Sequence, residues 1–243
     1  MQQPETFEKK HSPRLDQALA DARAQADATL FRLPPRSARR MLHCPCGDGQ
    51  LGRRWMDEGV DQVIGIEPCA ESAEKARAVL PEVFQGDIET LSLPYGPESF
   101  DCILLDDILP RLRDPRRFLE RIVPLLTPSG LLIASVPNLQ FYSSVQMLAE
   151  GRVEYATDGV WARDHIRFYT GHELLRLFWD AGLPVARLIG LTVLPPEVLP
   201  LNNERCLPLG KVTLGPLDDG EYQAFRTERY AVLGASIDER SAK

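Results

Sequence analysis

The turn His43-Cys44-Pro45-Cys46-Gly47-Asp48-Gly49 and a later carboxylate, Glu67, have the residue types and spacing to hold a ligand. Glycine has no Cβ, so a turn containing Gly47 and Gly49 lets backbone N–H groups and a following helix N-terminus come close to a bound molecule. Glu67 ends the apolar run Val63-Ile64-Gly65-Ile66. It lies about twenty residues past the turn, the spacing at which a strand-end carboxylate accepts hydrogen bonds from a ribose. The pair points to a nucleoside-containing cofactor at the carboxyl ends of parallel strands. The turn alone leaves the chemistry open, because Gly47-Asp48-Gly49-Gln50-Leu51-Gly52 also matches the dinucleotide fingerprint of nicotinamide enzymes.

These groups need strands and helices to place them. Further apolar runs end at Asp87 and at Asp106-Asp107, and another spans Gly130 to Val136. Helical patterns alternate with the runs, which calls for a parallel sheet with helices on both faces. Leu15, Leu19, Ala22, Ala26 and Leu30 recur at helical spacing and predict an amphipathic helix that stops before Pro34-Pro35. Asp114-Pro115 reads as an N-cap followed by proline at the first helical position, with Phe118, Ile122 and Leu125 as the buried stripe. Thr170 and Glu173 have capping-box spacing, and Gly182 closes that helix. Leu183 to Val193 and Arg229 to Ala235 are expected to add two closing strands. Residues 195–222 read as one long loop.

This succession resembles the class I S-adenosylmethionine-dependent methyltransferases over roughly residues 38–190. It looks closest to bacterial small-molecule methyltransferases often linked to cell-surface sugar biosynthesis. In those, a segment like Asp164-His165-Ile166-Arg167-Phe168-Tyr169-Thr170 precedes the helix after strand five. The resemblance implies an α/β, Rossmann-like, seven-stranded and mostly parallel sheet with helices on both faces and an antiparallel closing strand. It implies S-adenosylmethionine as cofactor, with His43, Cys46, Gly47 and Gly49 around its methionine part. Glu67 would hold the ribose diol, with Ile66 and Pro68 nearby. Asp87 would accept from the adenine amino group, Ile88 would pack on the ring, and Asp106 would line the amino-acid end.

Two departures stand out. Family members usually carry an acidic residue where this chain has His43 and a glycine where it has Pro45. After strand four they often read Glu-His where this chain has Pro110-Arg111. A neutral His43 could accept a hydrogen bond, whereas a protonated one would repel the cofactor's sulfonium. These departures motivate an alternative reading, a non-catalytic methyltransferase-like binding module.

Aligning a methyl donor with a nucleophile supplies much of the rate of methyl transfer, but a hydroxyl acceptor also needs a base. The histidines are His11, His43, His165 and His172. His165 is the candidate base, since it lies in the aromatic segment between Leu139 and Tyr169 beside Asp164 and Arg167. The competing reading is a histidine that ties this segment to the next helix, with Tyr142 or Tyr169 left to serve the reaction. The segment's aromatic residues suit a lid over a small organic acceptor.

Residues 1–37 are read as a loose polar tail (1–12) and a covering helix. Residues 38–243 are the catalytic domain, with a lid at 138–169 and closing strands with a long loop at 183–243. A formal charge of −7 disfavours broad nucleic-acid binding. A small-molecule acceptor is the expected partner. No run reaches the ~20 apolar residues of a membrane span. The N-terminal residues show no apolar leader core, so a cytoplasmic location is expected. The five cysteines, an odd count, read as thiols rather than disulfides, and no metal site is expected.

Overall fold

A computed structural model describes residues 13–235. The expected loose tail and His11 lie outside those residues. The strands are β1 (Arg40–Cys44), β2 (Gln62–Glu67), β3 (Glu82–Gln85), β4 (Phe100–Asp106), β5 (Leu126–Pro137), β6 (Val185–Val193), β7 (Leu207–Leu209), β8 (Val212–Leu214) and β9 (Thr227–Ala235). The helices are α1 (Pro13–Arg32), α2 (Gln50–Asp57), α3 (Ala70–Arg77), α4 (Pro115–Ile122), α5 (Tyr142–Ala149), α6 (Gly171–Asp180) and α7 (Asp219–Arg226).

Seven strands form one sheet in the order β3-β2-β1-β4-β5-β9-β6. Neighbours from β3 to β5 pair in parallel, and β9 runs antiparallel to both β5 and β6. The order reverses between β1 and β4, which opens a crevice outside the carboxyl ends of these strands.

The period-two alternation of the strands sorts their side chains onto two faces. Leu42, Ile64, Ile103, Leu105 and Leu132 meet Phe118, Leu119 and Ile122 of α4 and Leu174 and Phe178 of α6. Met41, Val63, Cys102, Leu104 and Ile133 meet Ala26, Leu30 and Phe31 of α1 and Trp55 of α2. The first helix, expected from its apolar spacing, packs across β6 on this second face. Asp114 caps α4 as its sequence predicts, accepting from Arg117 N–H at 3.0 Å.

Two sequence expectations need correction. The stretch 195–222 is not one loop. It holds the hairpin of β7 and β8 and the first turn of α7, gathered around a third apolar cluster with Phe141, Tyr142, Leu194, Leu207 and Leu209. A complete capping box occurs at Asp218 and Glu221. At Thr170 only the forward bond is made, from Glu173 N–H, because the Glu173 carboxylate turns toward His172 and Arg176. Gly182 does close α6, with φ +72° and its N–H on the Trp179 carbonyl.

Candidate active site

The turn after β1 is bound to β2 at two points. Cys46 N–H donates to the Ile66 carbonyl (2.9 Å), and Gly47 N–H donates to Glu67 Oε2 (2.8 Å). The other Glu67 oxygen accepts from Cys69 N–H at 2.9 Å. Pro45 lacks an N–H, and the turn does not call on one there, since Cys46 supplies the bond to β2.

The two glycines of the turn have different roles. Gly47 has φ +57°, and a Cβ placed on it would meet nothing within 4 Å. Gly49 has φ +82°, but its missing Cβ makes room for the protein: Val79, Ala76 and Leu80 lie 2.8–3.1 Å from that position. Both were expected beside the cofactor. Gly47 opens toward free space, and Gly49 lets α2 approach α3.

His43 lies on the α1 and α2 face, edge-on to the Trp55 ring at 5.4 Å between centroids. It is buried, and neither ring nitrogen has a hydrogen-bond partner. Burial pushes its pKa down to about 4, against the opposing pull of the Asp106 charge. The imidazole is therefore neutral near pH 7. Burial also holds the Cys44 thiol protonated and pushes Cys46 up to about 12.

Asp106 ends β4 with one oxygen already engaged. Its Oδ1 accepts from Ser135 Oγ of β5 and from the Arg229 guanidinium of β9. Asp87 is exposed just past β3, its Oδ1 accepting from Glu89 N–H, while the adjoining Ile88 is buried. Pro68 is exposed beside Glu67.

The segment carrying His165 docks onto the turn after β4. Ile166 and Arg167 N–H both donate to the Pro110 carbonyl (2.9 and 3.0 Å), and Arg167 Nε donates to the Leu112 carbonyl (3.1 Å). Asp164 pairs with Arg111 at 2.8 Å. Pro110-Arg111, which stands where relatives often carry Glu-His, thus anchors the segment. The His165 side chain is 1 % exposed. Its Nδ1 lies 3.2 Å from the Val160 carbonyl, and its Nε2 faces Asp107 Oδ2 at 3.5 Å. His172 is exposed, as its place in a cap turn suggests.

Beyond Asp106 a cavity of about 330 Å³ opens at the carboxyl ends of β4 and β5, with α1 along one side. Asp107, Glu228, Arg229 and Arg23 line it. Sequence reasoning passed over all four. Asp107 stood beside a residue already singled out, whereas Glu228 and Arg229 carry no motif and gain meaning only from where β9 inserts.

The turn fits S-adenosylmethionine. Gly47 leaves space where any Cβ would project, and it adjoins a buried carboxylate whose oxygens keep lone pairs for a ribose diol. The one acceptor nitrogen of a neutral, unpaired His43 suits the cationic amino-acid end. When bound, S-adenosylmethionine supplies an electrophilic methyl group, and the residues above would hold it.

Comparison with known proteins agrees with this. A family model described as a methyltransferase domain matches residues 16–188. A ubiquinone biosynthesis O-methyltransferase of Neisseria meningitidis is 28% identical over 162 residues, covering 63% of this chain and 67% of that protein. A probable S-adenosylmethionine-dependent methyltransferase of Mycobacterium tuberculosis is 31% identical over 163 residues, covering 66% of this chain and 54% of the relative. Among solved structures, a SAM-dependent methyltransferase of Archaeoglobus fulgidus superposes with a TM-score of 0.61 at 16% identity, covering 88% and 94% of the two chains. The 1,6-didemethyltoxoflavin-N1-methyltransferase of Burkholderia thailandensis, with bound S-adenosylhomocysteine, gives 0.51 at 18% identity, covering 91% and 79%. The chain belongs to the methyltransferase-domain family, and its cofactor is S-adenosylmethionine.

Proposed function

We propose that the protein O-methylates a small polar metabolite, a sugar or a related polyhydroxylated compound. The observation that carries this reading is the charged cavity at the ends of β4 and β5, one strand away from the Gly47 turn. Donor and acceptor would meet across the crevice between β1 and β4. Glu67 takes the ribose, Asp87 and Ile88 the adenine, and His43 the amino-acid end. Asp106 acts at second hand, fixing Ser135 and Arg229 at the cavity wall. Residues 138–169 are the lid. Oxygen as the methylated atom draws support from the O-methyltransferases among the relatives.

The test has two stages. Titration calorimetry should show S-adenosylmethionine binding to the purified protein. Incubation with methyl-labelled cofactor and a set of monosaccharides and polyols should then give a labelled, alkali-stable methyl ether. Cofactor binding with label found only on nitrogen or carboxyl groups would replace the O-methylation reading.

A further inference from the structure

The charges around the cavity do not cancel. Asp27, Asp106, Asp107, Asp158 and Glu228 line it, against Arg23 and Arg229. Both guanidinium groups are already spent: Arg23 Nε donates to Glu228 at 2.9 Å, and Arg229 donates to Asp106. Asp27 on α1 and Asp158 on the lid stand exposed at the mouth, with Asp27 4.0 Å from Arg229. Even with the donor's single positive charge, the lining remains acidic.

Asp107 is the least satisfied group on this lining. Its backbone has φ +58°, a region that non-glycine residues rarely occupy. Its Oδ1 is buried without a hydrogen-bond partner, and its Oδ2 lies 3.6 Å from Arg111. Its N–H is held by the Ser135 carbonyl at 3.1 Å, which fixes the strained turn. Behind it, the buried His165 ring presents an Nε2 that has no hydrogen bond and lies 3.5 Å from Asp107 Oδ2. Strain and an orphaned acceptor concentrated at one residue of a cavity mark a place where the fold gives up stability for function.

We propose that the acceptor carries a positive charge beside the hydroxyl that is methylated, as in an amino sugar or amino alcohol, and that the Asp107 carboxylate receives that hydroxyl's proton. This rests on the methyltransferase reading above and narrows it. Asp27 and Asp158 hold the cationic group at the mouth, and Asp107 meets the hydroxyl within. The acceptor O–H bond breaks and an O–CH3 bond forms. The S–CH3 bond breaks with its electron pair left on sulfur, and the proton passes to Asp107. His165 is then a positioning residue behind Asp107.

The experiment first measures S-adenosylmethionine affinity by calorimetry, so that loss of the donor reading is seen separately. Methyl transfer is then followed with amino sugars and amino alcohols, their N-acetylated counterparts, neutral sugars and simple phenols. The expected result is label on the cationic members, with kcat/KM at least ~10-fold lower once the amine is acetylated. The D27N/D158N double variant should remove most of that preference at unchanged donor affinity. Preference for neutral or phenolic probes, or no transfer to any cationic probe by protein that binds the donor, overturns the acceptor class. For Asp107→Asn, kcat should fall by about 10²-fold or more, the usual share of a positioned base. Donor affinity should hold, and Tm should be equal or higher. Asp107→Gly, which relieves the φ, should raise Tm and be equally inactive. A lower Tm in both variants with turnover kept would make Asp107 structural and overturn its role.

Discussion

The Glu67 carboxylate at the end of β2 accepts a hydrogen bond from the amide of Gly47, 2.8 Å away in the turn after β1, so the group that would hold the ribose also holds that turn. Loss of Glu67 should therefore act twice.

Glu67→Ala removes the acceptor for Gly47 and Cys69 along with any ribose bonds. At about 1.5–3 kcal/mol for each bond to a charged acceptor, with water compensating in part, donor binding should weaken by about 2–4 kcal/mol. Tm should fall as well. Glu67→Gln keeps one acceptor oxygen and should lie between. An unchanged dissociation constant in a folded alanine variant would remove Glu67 from the cofactor site.

The two turn glycines should separate. Gly47→Ala has room for its methyl group, so its cost is that of a left-handed alanine, about 1–2 kcal/mol. Its donor affinity should nonetheless collapse. Gly49→Val forces its side chain into Val79, Ala76 and Leu80 and should cost about 3 kcal/mol or more in stability. Urea melts beside calorimetry on both variants decide this. If Gly47→Ala binds the donor normally, the open space beside it is not the cradle.

His43 makes the protein acid-sensitive with a defined sign. Its pKa is 6.5 in an ordinary setting and about 4 when folded. Above pH 6.5 it is neutral in both states and contributes no slope. Below that, the unfolded chain takes up a proton that the folded chain refuses. Stability is then lost at ~1.4 kcal/mol per pH unit until about pH 4, on the order of 3 kcal/mol in all. His43→Leu should flatten this part of the stability profile and should not lower Tm at pH 7, because the ring nitrogens it removes are unpaired. It should weaken the donor ~10–100-fold by losing a bond to a cation. Parallel pH slopes for the two proteins would mean that His43 is not the titrating group.

The anchor of the segment proposed as a lid should be tunable at a distance from the donor. Arg167→Ala loses two bonds to backbone carbonyls of the turn after β4. Chymotrypsin should cut near the exposed Tyr155 about 5–10-fold faster through local opening, and acceptor KM should rise at unchanged donor affinity. His165→Ala, as a positioning change, should lower kcat less than ~10-fold and raise KM. A loss of ~10²–10⁴-fold would instead make the imidazole itself the base.

The sheet was legible because its signals are local. Runs ending at Glu67, Asp87 and Asp106 mark strand ends, and Asp114-Pro115 and Gly182 mark helix ends through their own backbone chemistry. The turn after β1 was legible for the same reason. The packing reason for Gly49 was not legible, because φ > 0 looks alike in sequence whether a ligand or a helix fills the space where a Cβ would lie. The hairpin and α7 were missed because their apolar residues face a small side cluster instead of the main sheet, so no long period shows. Glu228 and Arg229 were invisible because their partners, Arg23 and Asp106, lie 205 and 123 residues away.

That separation divides the site into a local half and a long-range half. Arg23 meets Glu228 205 residues further along the chain, and β9, which brings Glu228 and Arg229, follows the other strands of the sheet in sequence among the described residues. The Gly47–Glu67 bond joins β1 and β2, which are neighbours both in sequence and in the sheet. The cavity wall formed by Glu228 and Arg229 needs β9 seated between β5 and β6. The turn proposed for the donor is thus local in the chain, whereas the cavity proposed for the acceptor depends on contacts that span up to 205 residues.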